Sequence, residues 1–378
     1  MPLLLLVLVL ILPGCTSWSE LSEIEKTINA LQAKRKNAPS RHLYKDYKGV
    51  IHVHSEFSHD SRGTLREVIE AANTLNLDYL IMTDHSTPED RGRKAIDEGL
   101  RGWQGRTFFM VGSELRKGGS SILALGISNY IDRTQSLDDI VREVGEQGGV
   151  AFIAHSERFK AWESADLFAG MEIYDLFDDL KDKKELRLLF DLLFSYLFYP
   201  KGVLTTILDR PQISLRRWDE VTKTMRFVGI GGSDAHNRVK IFGKTLDPYE
   251  RILHVVNTYI LAEDLDEESI ITALKEGHLY IAFDMLCDPQ GFTFKLISDA
   301  GEAVMGDEVL LSEGTEIVIS TPVDGIIKLL KDGSVIQERK GTELLYEVRE
   351  AGVYRTEVYL DIHGKEKPWI LSNPIYVR

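Results

Sequence analysis

From residue 49 onward, short apolar runs alternate with polar stretches whose apolar residues recur at helical spacing, the pattern of βα units wound around a parallel sheet or barrel. Strands are predicted over 49–53, 79–82, 108–111, 150–154, 171–174 and 227–230. A helix is predicted from Thr64 to about Leu75, with Thr64 as N-cap and Glu67 completing a capping box. The Leu- and Phe-rich stretch from about Asp179 to Tyr199 reads as a long buried helix, apolar around much of its circumference. Beyond Pro289 the period drops to two and turns such as Lys331-Asp332-Gly333 appear, so 290–378 is predicted to be a β-sandwich of about seven short strands. Upstream, Leu21, Ile24, Ile28 and Leu31 mark a short amphipathic helix, either a stalk or a helix packed on the barrel.

The first fourteen residues, MPLLLLVLVLILPG, hold an apolar run of about ten residues, short of the ~20 that span a bilayer, and read as the core of a signal peptide. The run ends in Leu12-Pro13-Gly14-Cys15, which resembles the lipobox of bacterial lipoproteins. That resemblance implies cleavage before a diacylated Cys15 and a lipid anchor on a membrane, facing the periplasm or the exterior. Cys287 then has no intramolecular partner and is expected to be a small buried hydrophobe. The expected organisation is a signal peptide over 1–15, a helical stalk or linker over 16–48, a catalytic domain over 49–288 and a β-sandwich over 289–378.

Among 378 residues, 43% hydrophobic content suffices for substantial cores. A net charge of -14, from 45 basic and 59 acidic residues, disfavours extended nucleic acid as a partner. A small anionic substrate stays compatible, because bound cations reverse the field locally.

Residues able to ligate metals fall just past the apolar runs: His52, His54, Asp60, His85, Glu114, His155, Asp234 and His236. In α/β barrels and sheets the C-terminal ends of strands are where active sites are built. Within His52-Val53-His54, alternate residues of a strand face the same way, so two imidazoles can share one ion.

Taken in order over residues 50–237, IHVHSEFSHD, IMTDHS, VGSELR, AFIAHS and GGSDAH resemble the motifs of the PHP (polymerase and histidinol phosphatase) superfamily. The resemblance implies a distorted (β/α)7 barrel holding two to three divalent ions, Zn, Mn or Fe, at the C-terminal ends of its strands. One ion would be held by His52, His54, Glu114 and Asp234, a second by Glu114 with His155, and a third by Asp60, His85 and His236. The residues expected to carry catalysis are Glu114, His155, Asp234 and His236. A carboxylate shared by two cations, as Glu114 would be, lowers the pKa of a water between them, giving a nucleophile for in-line attack on phosphorus. The family often places another histidine just before a strand resembling ILALGI, where this chain has Ser120 and Ser121. Serine is a poor zinc ligand, so the second site is expected to be weak, completed by water, or empty.

Other residues carry two readings each. Asp84 is an orienting group or a strand cap; His59 is an exposed loop histidine or a proton donor to a leaving group. Arg158, Lys160, Arg238 and Lys240 follow ligand loops and are solvated charges or substrate-phosphate contacts, Arg158 and Arg238 foremost. His42, His254, His278 and His363 are expected to be structural or surface residues. The closing KPWILSNPIYVR resembles the end of CehA/McbA-type metallohydrolases, with Trp369 as a core anchor. Three functions compete: a phosphoesterase for a small phosphate mono- or diester, a carbamate, amide or ester metallohydrolase, and a non-catalytic, metal-containing binding lipoprotein.

Overall fold

The computed structural model describes residues 17–35, 43–85, 90–176, 195–241 and 244–378. The apolar leader with Cys15, His42 and all but the last residues of the Leu- and Phe-rich stretch lie outside them. Among the described residues no helix is long and apolar enough to cross a membrane.

Seven strands close a barrel: β1 (Lys45–Val53), β2 (Tyr79–Met82), β3 (Thr107–Lys117), β4 (Ser120–Leu125), β5 (Val150–Ala154), β6 (Gly170–Asp175) and β7 (Val228–Ala235). Each pairs with the next, and β7 closes on β1. All pairings are parallel except those of β4, which runs antiparallel to both neighbours. The reversal is made by Gly118-Gly119, whose φ angles of 60° and 82° supply a tight hairpin that side chains disfavour. Inside the barrel, Ile51, Ile81, Met110, Leu123, Phe152 and Ile230 share one core cluster with Ile270 and Leu274.

Between β1 and β2 lies α1 (Leu65–Thr74), with the Thr64–Glu67 capping box formed in both directions. The predicted N-terminal helix spans Trp18–Lys34; Leu21, Ile24 and Ile28 are buried, and Glu25 accepts from the amide of Gly202, so this helix packs on the body.

The barrel sheet continues into the C-terminal β-structure. The outer half of β1 pairs antiparallel with β8 (Asn257–Ala262), β8 with β9 (Leu279–Ala282), and β9 with a strand over Lys365–Ser372. In the sandwich, the strand Glu316–Lys331 changes partner midway. Its first part pairs with Thr293–Ser298 and its last with Gly352–Ile362, across a register shift between Ser320 and Gly325. Such a bend carries one strand between two layers.

Polar contacts fasten the sandwich to the barrel. Arg355, buried, bonds Asp219 through Nε and Nη2 at 2.7 and 2.8 Å and Glu357 through Nη1 at 2.7 Å. Arg210 grips the same Glu357 at 2.6 and 2.8 Å. Asn373 accepts from the amide of Gly229 in β7 and donates to the carbonyls of Gly229 and Leu279. Trp369 is fully buried, its indole N–H donating to the Cys287 carbonyl, and Cys287 is buried with its thiol pushed up to about 12 by burial.

Candidate metal centre

The eight residues singled out as ligands meet at the C-terminal ends of the barrel strands, His52, Glu114 and Asp234 within the last residues of β1, β3 and β7, and His54, Asp60, His85, His155 and His236 in the segments that follow β1, β2, β5 and β7. Three lie in the left-handed backbone region: His52 at φ 67°, His155 at 47° and Asp234 at 48°. That region is rare for residues with a Cβ, and strain of this kind clusters at functional sites. Alternation on a flat strand is therefore not what aims His52 and His54. The β1 ladder shifts register between Ile51 and Val53, a bulge that re-aims the first imidazole.

Two lobes share Glu114. In one, His52 Nε2 lies 3.6 Å from Glu114 Oε2 and 3.5 Å from Asp234 Oδ1, with His54 Nε2 3.6 and 3.3 Å from the same atoms. His155 Nε2 approaches the other Glu114 oxygen at 3.6 Å. In the second lobe, Asp60 Oδ1 lies 3.3 Å from both His85 Nε2 and His236 Nε2, and His85 Nδ1 is 3.1 Å from Glu114. Only Asp60 has an appreciably exposed side chain, at 23%.

Several imidazoles have their proton positions set by what lies behind them. The hydroxyl of Ser58 donates to Asp84, so it accepts from His54 Nδ1 at 3.0 Å and from the amide of His85 at 3.0 Å. His236 Nδ1 donates to the backbone carbonyl of Asp234, which can only accept. In both rings Nε2 is left to face the cluster. Asp84 also takes the amide and hydroxyl of Ser55, so it orients the His54 loop from behind and touches no ligating atom of the cluster directly.

Burial and mutual contact together set the charges of these side chains. Burial opposes charge on Asp60, but the imidazoles of His236 and His85 beside it hold it well below the usual carboxylate range. Burial likewise opposes charge on Glu114, and His155 and His52 outweigh it. Burial and the nearby Asp175 carboxylate lift Asp234 to about 6. His155 loses proton affinity to burial, yet Asp175 and Glu114 carry it up to about 9. Burial and the neighbouring imidazoles of His236 and His85 depress His54.

The donor set fits a divalent cation. His52 Nε2, His54 Nε2, His85 Nε2, Asp60 Oδ1 and both oxygens of Glu114 are buried with no hydrogen-bond partner, which a packed interior rarely tolerates. His54–His85–His236, His52–Glu114–His155 and His52–His54–Asp234 each hold ligand atoms within 4.8 Å of one another. Mixed imidazole and carboxylate ligation suits Zn, Mn or Fe.

Around this cluster, Arg238 reaches Asp60 at 3.5 Å, whereas Arg158 and Lys160 are exposed on the turn after His155. His59 is exposed, its ring 4.9 Å from that of His85. Ser120 accepts from the amide of Lys160 at 3.0 Å, so its hydroxyl ties down the His155 loop. His278 pairs with Asp307 away from the cluster, His363 is exposed in a turn, and His254 is pushed down to about 4 by burial and nearby lysines.

Sequence reading passed over three residues. Glu172 is buried on β6, its Oε1 2.6 Å from His52 Nδ1 and its Oε2 accepting from the amide of His155 at 2.8 Å. Asp175, at the end of the same strand, lies 3.5 Å from His155 Nδ1. Arg116 reaches Glu114 at 3.8 Å from a half-exposed position. A signal existed for the first two: a carboxylate inside the apolar run GMEIYD is expensive to bury without a partner, and Asp175 occupies the strand-end position shared by the ligands.

The model of the PHP domain family matches residues 51–260. No curated protein matches the chain. Among solved structures, a two-domain protein from Bacteroides vulgatus containing a predicted PHP-like metal-dependent phosphoesterase is similar with TM-score 0.45 and 16% identity, over 90% of this chain and 98% of that one. PsfC from Pseudomonas syringae gives 0.42 and 14%, over 64% and 93%. An amidohydrolase from Chromobacterium violaceum, with bound sulfate and no metal, gives 0.27 and 16%, over 50% and 87%.

Proposed function

Since the chain belongs to the PHP domain family, whose model covers more than half of it, we propose that this metal-dependent hydrolase is a phosphoesterase cleaving a small phosphate mono- or diester. The observation that carries the reading is the convergence of buried, unpartnered ligand atoms from His52, His54, Asp60, His85 and Glu114 on one cluster. His52, His54, Glu114 and Asp234 would hold one ion, Glu114 and His155 a second, and Asp60, His85 and His236 a third. Bound cations supply Lewis acidity, polarising phosphoryl oxygens and making water acidic enough to provide a nucleophile near neutral pH.

The chain's own residues contribute orientation and charge. Ser58 and the Asp234 carbonyl hold the rings of His54 and His236 with Nε2 toward the cluster. Arg116 and Arg238 stand beside it with side chains 54% and 37% exposed, each guanidinium able to take two phosphate oxygens. Two cations at the rim favour an anionic ester over a neutral carbamate or amide.

Elemental analysis of the purified protein, with hydrolysis of p-nitrophenyl phosphate and bis-p-nitrophenyl phosphate, tests this. Two or three ions per chain are expected, with turnover of one ester falling to background in His52→Ala. Failure to hydrolyse either ester after reconstitution with Zn or Mn overturns the phosphoesterase; turnover of carbamates or amides instead supports the second chemistry, and stable metal without turnover a binding role. The same proposal anchors the enzyme to a membrane through Cys15, so palmitate labelling is expected in the intact protein and lost in Cys15→Ala.

A further inference from the structure

We propose that Glu172 is a positioning residue that locks two ligand-bearing segments to each other and fixes which nitrogen of His52 faces the metal centre. The inference rests on the reading of this cluster as a metal centre. Glu172 is 1% exposed in the middle of β6, and each of its oxygens has a different task. Oε1 lies 2.6 Å from His52 Nδ1, and Oε2 accepts from the backbone N–H of His155 at 2.8 Å. The amide can only donate, so it claims one oxygen of the carboxylate. The other accepts from His52 Nδ1–H, leaving Nε2 toward Glu114 and Asp234.

Both residues held this way have left-handed backbones, at φ 67° and 47°. They occupy the ends of β1 and β5, which are not neighbours in the barrel. A single side chain therefore spans the interior and restrains two conformations that local preference alone would not maintain.

A second observation points to the same contact. A Cβ added to Gly232 would lie 2.0 Å from Glu172 Oε1 and 3.3 Å from the Cβ of His52. The second glycine of GGSDAH therefore has a spatial reason: the carboxylate passes where any side chain would sit. Gly232→Ala should displace Glu172 from His52 while leaving every ligand and carboxylate in the sequence.

The experiment compares zinc affinity, by chelator competition, for the full chain and for Glu172→Ala, Glu172→Gln and Gly232→Ala, each checked for folding by circular dichroism. Partners behind metal-ligating histidines typically change affinity by about 10–100-fold when lost. Glu172→Ala and Gly232→Ala should show a loss of that order. Glu172→Gln should lose less, because its amide oxygen still accepts from His52, although its NH₂ cannot accept from His155. In parallel, nitrogen NMR of histidine-labelled, metal-free wild-type protein should show His52 Nδ1 carrying a slowly exchanging proton that disappears in Glu172→Ala. Unchanged affinity in folded variants, or a His52 Nδ1 without that proton in the wild type, overturns the proposal. The two failures separate: a wild type that takes up no metal sinks the metal reading, while the His52 proton still judges Glu172 in the metal-free protein.

Discussion

His52, His155 and Asp234 sit in backbone conformations that residues with a Cβ seldom adopt, and Glu172 touches the first two from behind. Behind two other ligands stands Ser58, serving Asp84, His54 and His85 through one oxygen. Ser58→Ala leaves a ring N–H and a backbone N–H without acceptors and should destabilise the metal-free protein by about 1–3 kcal/mol, read from the denaturant midpoint. Zinc affinity should fall with it, because the His54 ring is then free to turn. The eight candidate ligands were legible in the sequence because each lies in a short motif with fixed spacing. Glu172 and Asp175 left only the signal of carboxylates in an apolar run and Arg116 left none, since their roles depend on which strands become neighbours, and no local spacing encodes that. Cys287 needed only its composition to be read: with its thiol raised to about 12 by burial, it should resist a thiol reagent in the native protein and react once guanidinium unfolds the chain.

The elements with local chemistry followed the reading closely. The capping box of α1 closes through Thr64 and Glu67, and Thr64→Ala should lower stability by about 1 kcal/mol in a thermal or denaturant melt. The antiparallel course of β4 was not anticipated, because a strand buried on both faces shows the same apolar run whichever way it points. Its one clue is Gly118-Gly119, a pair suited to a two-residue hairpin. The reversal brings Ser120 against the amide of Lys160, where it serves as a loop tie. The change of partner along Glu316–Lys331 was equally invisible, since alternation marks which residues are buried and says nothing of which sheet receives them. All but the last residues of the long helix expected from about Asp179 to Tyr199 lie outside the described residues.

Taken whole, the molecule joins barrel and sandwich through a buried charge network and a shared sheet. Arg355 links Asp219 to Glu357, and Arg210 shares Glu357. Removing one member strands the others in the interior, so Asp219→Ala should cost about 3–5 kcal/mol and lower the unfolding temperature. Burial opposes charge on Glu357, but Arg210 and Arg355 hold it down at about 2, against an ordinary value of 4.5. A depressed carboxylate adds stability that is complete above about pH 4.5 and is lost as pH falls through about 2. Melting curves across that window should therefore drop more steeply for the wild type than for Glu357→Gln. The strand Leu279–Ala282 has Asn257–Ala262 on one side and Lys365–Ser372 on the other. Shorten the chain to its barrel half and Leu-Tyr-Ile-Ala becomes a bare, apolar sheet margin, the kind of surface that recruits further copies into insoluble stacks. The strand Lys365–Ser372 thus does for the barrel what no described residue of the barrel half does, occupying the open side of that margin.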